Sequence, residues 1–462
     1  MKSIVHELYS SYDYIVYYNK NFGPMEVFDG FTEMVAKKAR KNMKKKRKYV
    51  KSFWGIVVGQ FISLFGNSVL RYSLSLYILD ITGSVSIYSL IMALTVIPQI
   101  VIAPYGGALA DRVSKKKIMI ILDVVTGIIV LGYGLFMMNC DISMLGLGSF
   151  ICGMAVIQNI YDPVVRASLP AIVSENELAS ANSITQMIST AASILGPVAA
   201  GGVYGFYGIQ IVLIIDGISF LISAVIELFL VIPYQKKKWE GNPLVLFSKE
   251  LGQTFCYVKR KKKILLYIAY ISAGLNFLIM PFYIIGVPYL EKEIFHVTNQ
   301  MYGISEACIG FGVIVGAVIV AIWGKFFSIE KFHYLFIGLA IVILGMGASI
   351  FPIFFVESGN NFVSFFLLTI TGFLFTLCIT VSSIICTTFI QKASPESMMG
   401  KIMSLVNAFG TIFLPLGQVL FGWIYEWMGE KSFYLYAGVG GLTIIGSRII
   451  KKIVKENGKV EM

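Results

Sequence analysis

Charge is what this sequence has least of. Asp, Glu, Lys and Arg together make up 14% of 462 residues, where soluble domains carry roughly a quarter. A water-soluble fold would lack the polar surface to cover an interior built from 56% hydrophobic residues. Histidine is scarcer still: His6, His296 and His333 stand far apart and form no ligand set. The six cysteines (Cys140, Cys152, Cys256, Cys308, Cys378 and Cys386) are scattered, mostly within apolar runs, and no Cys-x-x-Cys occurs. Small buried hydrophobes are therefore expected, not disulfides or a metal centre. Residues 1–50 lack an apolar h-region, so no cleavable signal peptide is expected. No Walker loop is present and no loop is long enough for a nucleotide-binding domain, so neither a cofactor nor ATP is expected.

What the sequence has is apolar length, with a mean hydropathy of +0.76. In a bilayer every backbone polar group must be paired internally, which leaves a helix bundle or a closed barrel. A barrel needs alternating ten-residue segments. Here the apolar runs are continuous and suit helices crossing about 30 Å of hydrocarbon. Spans are predicted near 52–79, 87–109, 118–138, 144–166, 182–206, 209–232, 264–290, 302–323, 333–353, 362–388, 399–424 and 431–450. An even number puts both termini on one side. Of 38 Lys and Arg residues, 35 fall on that side, Lys292 and Lys431 fall opposite, and Arg71 lies within a span. The opposite loops carry acids: Asp80, Asp141, Glu291, Glu293, Glu357 and Glu430. By the positive-inside rule both termini are expected to be cytoplasmic, and the expected location is the plasma membrane, as a multi-pass protein. The net charge of +12 is thereby a topology signal in contact with the bilayer, not a nucleic-acid footprint.

The expected organisation is a cytoplasmic segment 1–51, a six-helix half 52–232, a basic cytoplasmic linker 233–263, a second six-helix half 264–450 and a tail 451–462. Gly196, Gly201, Tyr204 and Gly208 recur as Gly417, Gly422, Tyr425 and Gly429 at one offset of 221 residues. This lays the fifth span over the eleventh, as parallel six-span repeats require. The first segment holds Tyr9, Tyr12, Tyr14, Tyr17 and Tyr18 before a basic run. It reads as a regulatory segment, as a weakly ordered tail, or as sequence upstream of a true start at Met43, in which case residues 1–42 are not native.

The loop between spans two and three reads Gly107-Ala-Leu-Ala-Asp111-Arg112-Val-Ser114-Lys115-Lys116-Lys117. It resembles the signature of the major facilitator superfamily, Gly-x-Leu-Ala-Asp-Arg-x-Gly-Arg/Lys-Arg/Lys, with Ser114 where the family usually has Gly. The resemblance implies an all-α fold of twelve transmembrane helices in two six-helix halves around a central cavity. It also implies a cytoplasmic latch, in which Asp111 faces the start of the eleventh span near Ser397–Gly400. A helix N-terminus favours such an anion. Gly107, Arg112, Lys115 and Lys116 belong to the same motif, and Asp123 and Arg166 are expected at similar depth. Gly196-Pro197 and Gly201-Gly202 resemble the Gly-Pro/Gly-Gly element in the fifth span of exporters of this superfamily, where small residues permit close helix approach. The stretch Asp162-Pro163-Val-Val-Arg166, with Asp216-Gly-Ile-Ser-Phe220, resembles exporters of the macrolide-efflux and siderophore-export types.

Ionisable residues inside spans are costly and mark function. Arg71, Asp216 and Glu306 are candidates for proton coupling, with Glu306 favoured because span eight borders the cavity in this fold. Glu227, nearer a span end, could snorkel. Gln60, Asn67, Gln158, Asn159 and Asn276 are candidate polar cavity groups. The expected function is proton-coupled efflux of a small amphipathic compound by a monomeric secondary transporter. Its rivals are a nutrient importer on the same fold and a non-transporting sensor or assembly partner.

Overall fold

The computed structural model describes residues 27–138, 143–234, 243–261, 263–324, 331–351, 362–395 and 398–457. Among these, ten helices are long and apolar enough to cross a membrane. One of them, Ser180–Leu228, is two consecutive helices, broken where Gly208 takes φ 76°. The shorter apolar helix Phe332–Ala348 supplies one more, so the described residues hold twelve candidate spans. Spans one to six are Tyr49–Thr82, Val85–Ile102, Lys115–Met137, Met144–Ile172, and the two parts of Ser180–Leu228 either side of Gly208. Spans seven to twelve are Lys263–Ile294, Asn299–Trp323, Phe332–Ala348, Phe362–Ala393, Met399–Met428 and Phe433–Lys455.

Local chemistry explains the starts. Ser84, Ser143 and Thr298 stand in extended backbone before spans two, four and eight, and each side chain accepts the N–H of the residue three on. Such caps satisfy one of the orphan donors that open a helix. Ser114, before span three, has φ −60° and ψ 111°, which any residue adopts, so the motif's usual glycine is not needed there.

Two segments differ from the sequence reading. The linker is not a plain loop: Pro243–Lys261 is a helix carrying Lys249, Glu250, Lys259 and Arg260, with Val258 and Thr254 buried. It packs on spans two, seven and eleven, and Phe255 stacks on Phe409 with ring centroids 6.2 Å apart. The helix of span one begins at Val27, so the backbone after Glu26 runs unbroken into the membrane-crossing part.

The hydrophobic interior is divided unequally. At the end of the bundle marked by Asp80, one continuous core draws Leu74, Tyr88 and Tyr204 from the first six spans and Phe282, Tyr302 and Phe421 from the last six. At the opposite end, where the linker helix lies, the cores are separate. Phe53, Ile56, Tyr161 and Leu169 form one, while Val258, Ile264, Ile390 and Ile402 form another.

Candidate functional site

The closed end is built by the repeated glycines. A Cβ on Gly201 would strike the Asn299 carbonyl and stand 3.1 Å from the Gly303 Cα on span eight, while a Cβ on Gly303 would strike the Pro197 carbonyl. Symmetrically, a Cβ on Gly422 would strike Ser89 on span two. Gly196 and Gly417 do the same work one and a half turns away, packing on Ser68 of span one and on Phe277 and Pro281 of span seven. Gly202 faces open space. The 221-residue offset is thus one of equivalent contacts: spans five and eight cross tightly, and so do spans eleven and two.

Polar groups pin this crossing. Lys292 Nζ lies 2.8 Å from Asp80 Oδ1 and donates to Asn299 Oδ1 at 2.6 Å. The hydroxyl of Tyr204 donates to Asp80 Oδ2 at 2.7 Å. Glu426 on span eleven accepts from the Ser86 N–H at 2.7 Å and the Ser84 hydroxyl at 2.9 Å. That places a carboxylate on the N-terminus of span two, where free N–H groups and the helix dipole favour it.

Below the crossing, a cavity of about 380 Å³ is lined by Asn67, Arg71, Gln158, Asn159, Asp162 and Ser189 among others. Asn67 Nδ2 donates to Gln158 Oε1 at 3.2 Å, and Gln158 Nε2 donates to Asp162 Oδ1 at 2.6 Å. A second cavity of about 260 Å³, lined by residues of the second half, includes Asn276, Ser272, Ser383, Thr387 and Asn407. Asn276 spends its amide on the Ser272 carbonyl at 3.0 Å. Gln60 is not among the lining residues of either cavity, and its Oε1 is buried without a hydrogen-bond partner. Asp162, part of the stretch that resembles exporters, also lines the first cavity. The signal was there in Gln158-x-x-x-Asp162, because residues four apart share a helix face.

The buried acids separate into two groups. Glu306 on span eight lies within electrostatic reach of Arg71 on span one and interacts with the Tyr302 hydroxyl. Tyr72, Tyr88 and Tyr283 lie within electrostatic reach of it, and the Arg71 guanidinium sits 5.0 Å over the Tyr72 ring. Asp216, by contrast, packs on Gly66 and Ser219, with Asp123 as its charged neighbour. Asp123 and Glu227 are each 1% exposed. Ser63 donates to Asp123 at 3.5 Å and Tyr161 to Glu227 at 2.8 Å. Glu227 does not snorkel, because its carboxyl turns inward to Tyr161.

Of the expected latch residues, Gly107, Asp111 and Arg112 belong to the helix Val85–Arg112, and the side chains of Asp111 and Arg112 lie outside the described residues. Lys115 opens span three, half-buried. Lys116 Nζ donates to the Leu228 carbonyl at 2.7 Å, holding the end of span six, as a cation at a helix C-terminus should. Arg166 is exposed and its charged neighbour is Asp162, while Asp123 lies in the buried cluster.

Known proteins share this architecture. The family model of the Major Facilitator Superfamily matches residues 56–418. Macrolide efflux protein A of Streptococcus pyogenes is 23% identical over 91% of this chain and all of its own length. The putative bacilysin exporter BacE of Bacillus amyloliquefaciens is 26% identical over 71% of this chain and 78% of its own. Among solved structures, the nucleoside transporter NupG aligns with a TM-score of 0.68 at 12% identity, covering 86% of this chain and 99% of that one. A bacterial homologue of the iron transporter ferroportin in an inward-facing state aligns with a TM-score of 0.62 at 14% identity, covering 88% and 98%. A chain that is helical throughout its described spans, with twelve candidate spans and a family match over most of its length, belongs to the Major Facilitator Superfamily and is a multi-pass membrane transporter.

Proposed function

We propose that this protein exports a small amphipathic compound in exchange for protons, as a monomer of the plasma membrane, by rocking the halves 52–232 and 264–450 about the central cavity. The supporting observation is the unequal interior: one shared core at the Asp80 end, separate cores at the linker end. A bundle of this shape is open on one side only, and alternating access needs the mirror arrangement to be reachable. On this reading the linker end, rich in Lys and Arg, and both termini are cytoplasmic, and the structure is the cytoplasm-open state. The export direction is drawn from the relatives named for efflux.

Glu306 is the coupling acid on this reading. Its charged partner Arg71 stands on the other half, so rocking changes the distance between them. An anion that loses its cation in an apolar setting is costly, and a bound proton removes that cost. Everted vesicles carrying the protein should accumulate a radiolabelled macrolide when a pH gradient is imposed. Glu306→Gln should abolish that accumulation and leave gradient-free exchange intact. Gradient-driven accumulation at the wild-type level in Glu306→Gln would refute the assignment, and net movement in the opposite direction would make the protein an importer. Orientation is checked by thiol labelling: a cysteine replacing Asn360 should react with an impermeant reagent from outside, and one replacing Gln235 only after the cells are opened.

A further inference from the structure

Sequence places Glu291 in an outer loop, but the structure places it inside span seven. Leu290–Ile294 is a π turn, a feature that recurs at functional sites. The wider turn is closed by Phe295 N–H on the Leu290 carbonyl at 2.7 Å and Val297 N–H on the Glu291 carbonyl at 2.9 Å. It points neighbouring residues in opposite directions. Lys292 reaches across to Asp80 on span one, whereas Glu291 turns into the protein and is 0% exposed.

The surroundings of that carboxyl supply no cation among the described residues. Ser305 donates to Glu291 Oε1, and the Ser305 and Thr369 hydroxyls lie 3.0 Å apart. Oε2 is buried with no hydrogen-bond partner. The titratable groups facing it are Glu306 and Tyr302 of span eight and Tyr283 of its own span. From span one, which touches the π turn, Asp80 is engaged by Lys292, while Arg71 and Tyr72 lie beside Glu306. A buried carboxylate with one unfilled oxygen and an acid for a neighbour carries a large desolvation penalty. A proton on that oxygen removes the charge and leaves Glu306 as the one anion for Arg71 to balance.

We infer that Glu291 is a second proton-binding residue, loaded from the Asp80 side and sealed from it by the Asp80–Lys292 bridge. With the Asp80 end closed, water has no path to Glu291. Separation of spans five from eight and eleven from two breaks the bridge and opens that path. An O–H bond then forms on the Glu291 carboxylate with a proton from the outer water. That bond breaks when the proton passes to the Glu306 carboxylate, and Glu306 releases it towards the cavity side. The role in the cycle rests on the proton-coupled reading above; the bound proton itself does not.

The test is infrared difference spectroscopy of the purified full chain in lipid nanodiscs at neutral pH, with H2O exchanged for D2O. A protonated carboxyl band should be present in the wild type, absent in Glu291→Gln and displaced in Glu291→Asp, which guards against a glutamine variant that fails to fold. Its deuterium shift should be about fivefold faster in Asp80→Asn, where the seal is weakened by the worth of one partly exposed ion pair. A spectrum unchanged by either replacement would show an ionised Glu291 and overturn the inference, as would equal exchange rates in wild type and Asp80→Asn. If Glu306→Gln keeps the Glu291 band while its vesicles still couple normally, the Glu306 reading falls and the Glu291 site stands.

Discussion

The two halves share a scaffold and differ in where they put their acids. Gly196, Gly201, Tyr204 and Gly208 in the first half and Gly417, Gly422, Tyr425 and Gly429 in the second occupy equivalent places, and Gly208 and Gly429 both take positive φ at the turn into the next helix. The tyrosines already diverge: Tyr204 donates to Asp80, whereas Tyr425 donates to the Phe282 carbonyl at 3.1 Å. The acids diverge completely. The first half buries Asp123, Asp216 and Glu227 among its own spans, away from the partner half. The second half holds Glu306 beside Arg71, where the halves meet, with Glu291 next to Glu306. Duplication supplies the paired glycine crossings, whereas the buried acids next to Arg71 and Glu306 come from one half only.

The largest expected effect comes from adding bulk where the shared scaffold touches. Gly201→Val and Gly422→Val should each prop the Asp80 end open, because the obstacles are the Asn299 carbonyl and Ser89 at close range. Overpacking of this kind costs about 3 kcal/mol, roughly a hundredfold in the open–closed equilibrium. Thiol accessibility near Asp80 and loss of transport measure it. Equal effects support equivalence of the two crossings, and a silent Gly422→Val would break it.

Next is the contrast between acids. Glu306→Gln should remove gradient-driven transport, while Asp216→Asn should change it by no more than about twofold and show itself in thermal stability, by about 1 kcal/mol. A vesicle assay with melting curves for both variants decides. If Asp216→Asn uncouples and Glu306→Gln does not, the acids have been assigned to the wrong half.

The pins come last. Asp80→Asn leaves Lys292, mostly buried, without its ion pair, and should shift the equilibrium towards the open Asp80 end by about 1 kcal/mol, roughly fivefold. Glu426→Gln keeps an acceptor for the Ser86 N–H and loses only the charge on the helix terminus, so about 0.5 kcal/mol and roughly a twofold shift are expected. Labelling rates of a cysteine near Thr82 in both variants rank them. A larger effect for Glu426 would mean that the span two–eleven crossing, not the five–eight one, dominates closure.

Several features were legible from the chain alone, for a reason they share. Twelve apolar runs, the break before span six and the glycine repeat are local or periodic signals, and burying a helix in lipid needs no knowledge of its neighbours. The break falls at Gly208, within the predicted interval between 206 and 209. Asn67, Gln158 and Asn159 line one cavity and Asn276 the other, because a polar amide within a span has few other places to go. Gln60 shares that sequence signature and stands apart from both cavities, which hydropathy cannot distinguish. The linker helix is not legible in the chain alone, because its charged residues mask a face that is buried only by packing on spans two, seven and eleven.

What only the tertiary structure decided is the environment of each charge. Glu291 and Lys292 are adjacent, yet one is sealed in the interior and the other bridges to Asp80, which lies 212 positions earlier in the chain. Glu227 reads as a residue free to reach water and is held by Tyr161, 66 positions away. The sequence by itself determined how many helices cross the membrane and which glycines are equivalent, since length and composition set the cost of leaving a helix in lipid. It did not determine which acid meets which base, because that cost depends on partners brought close only when the two halves fold against each other.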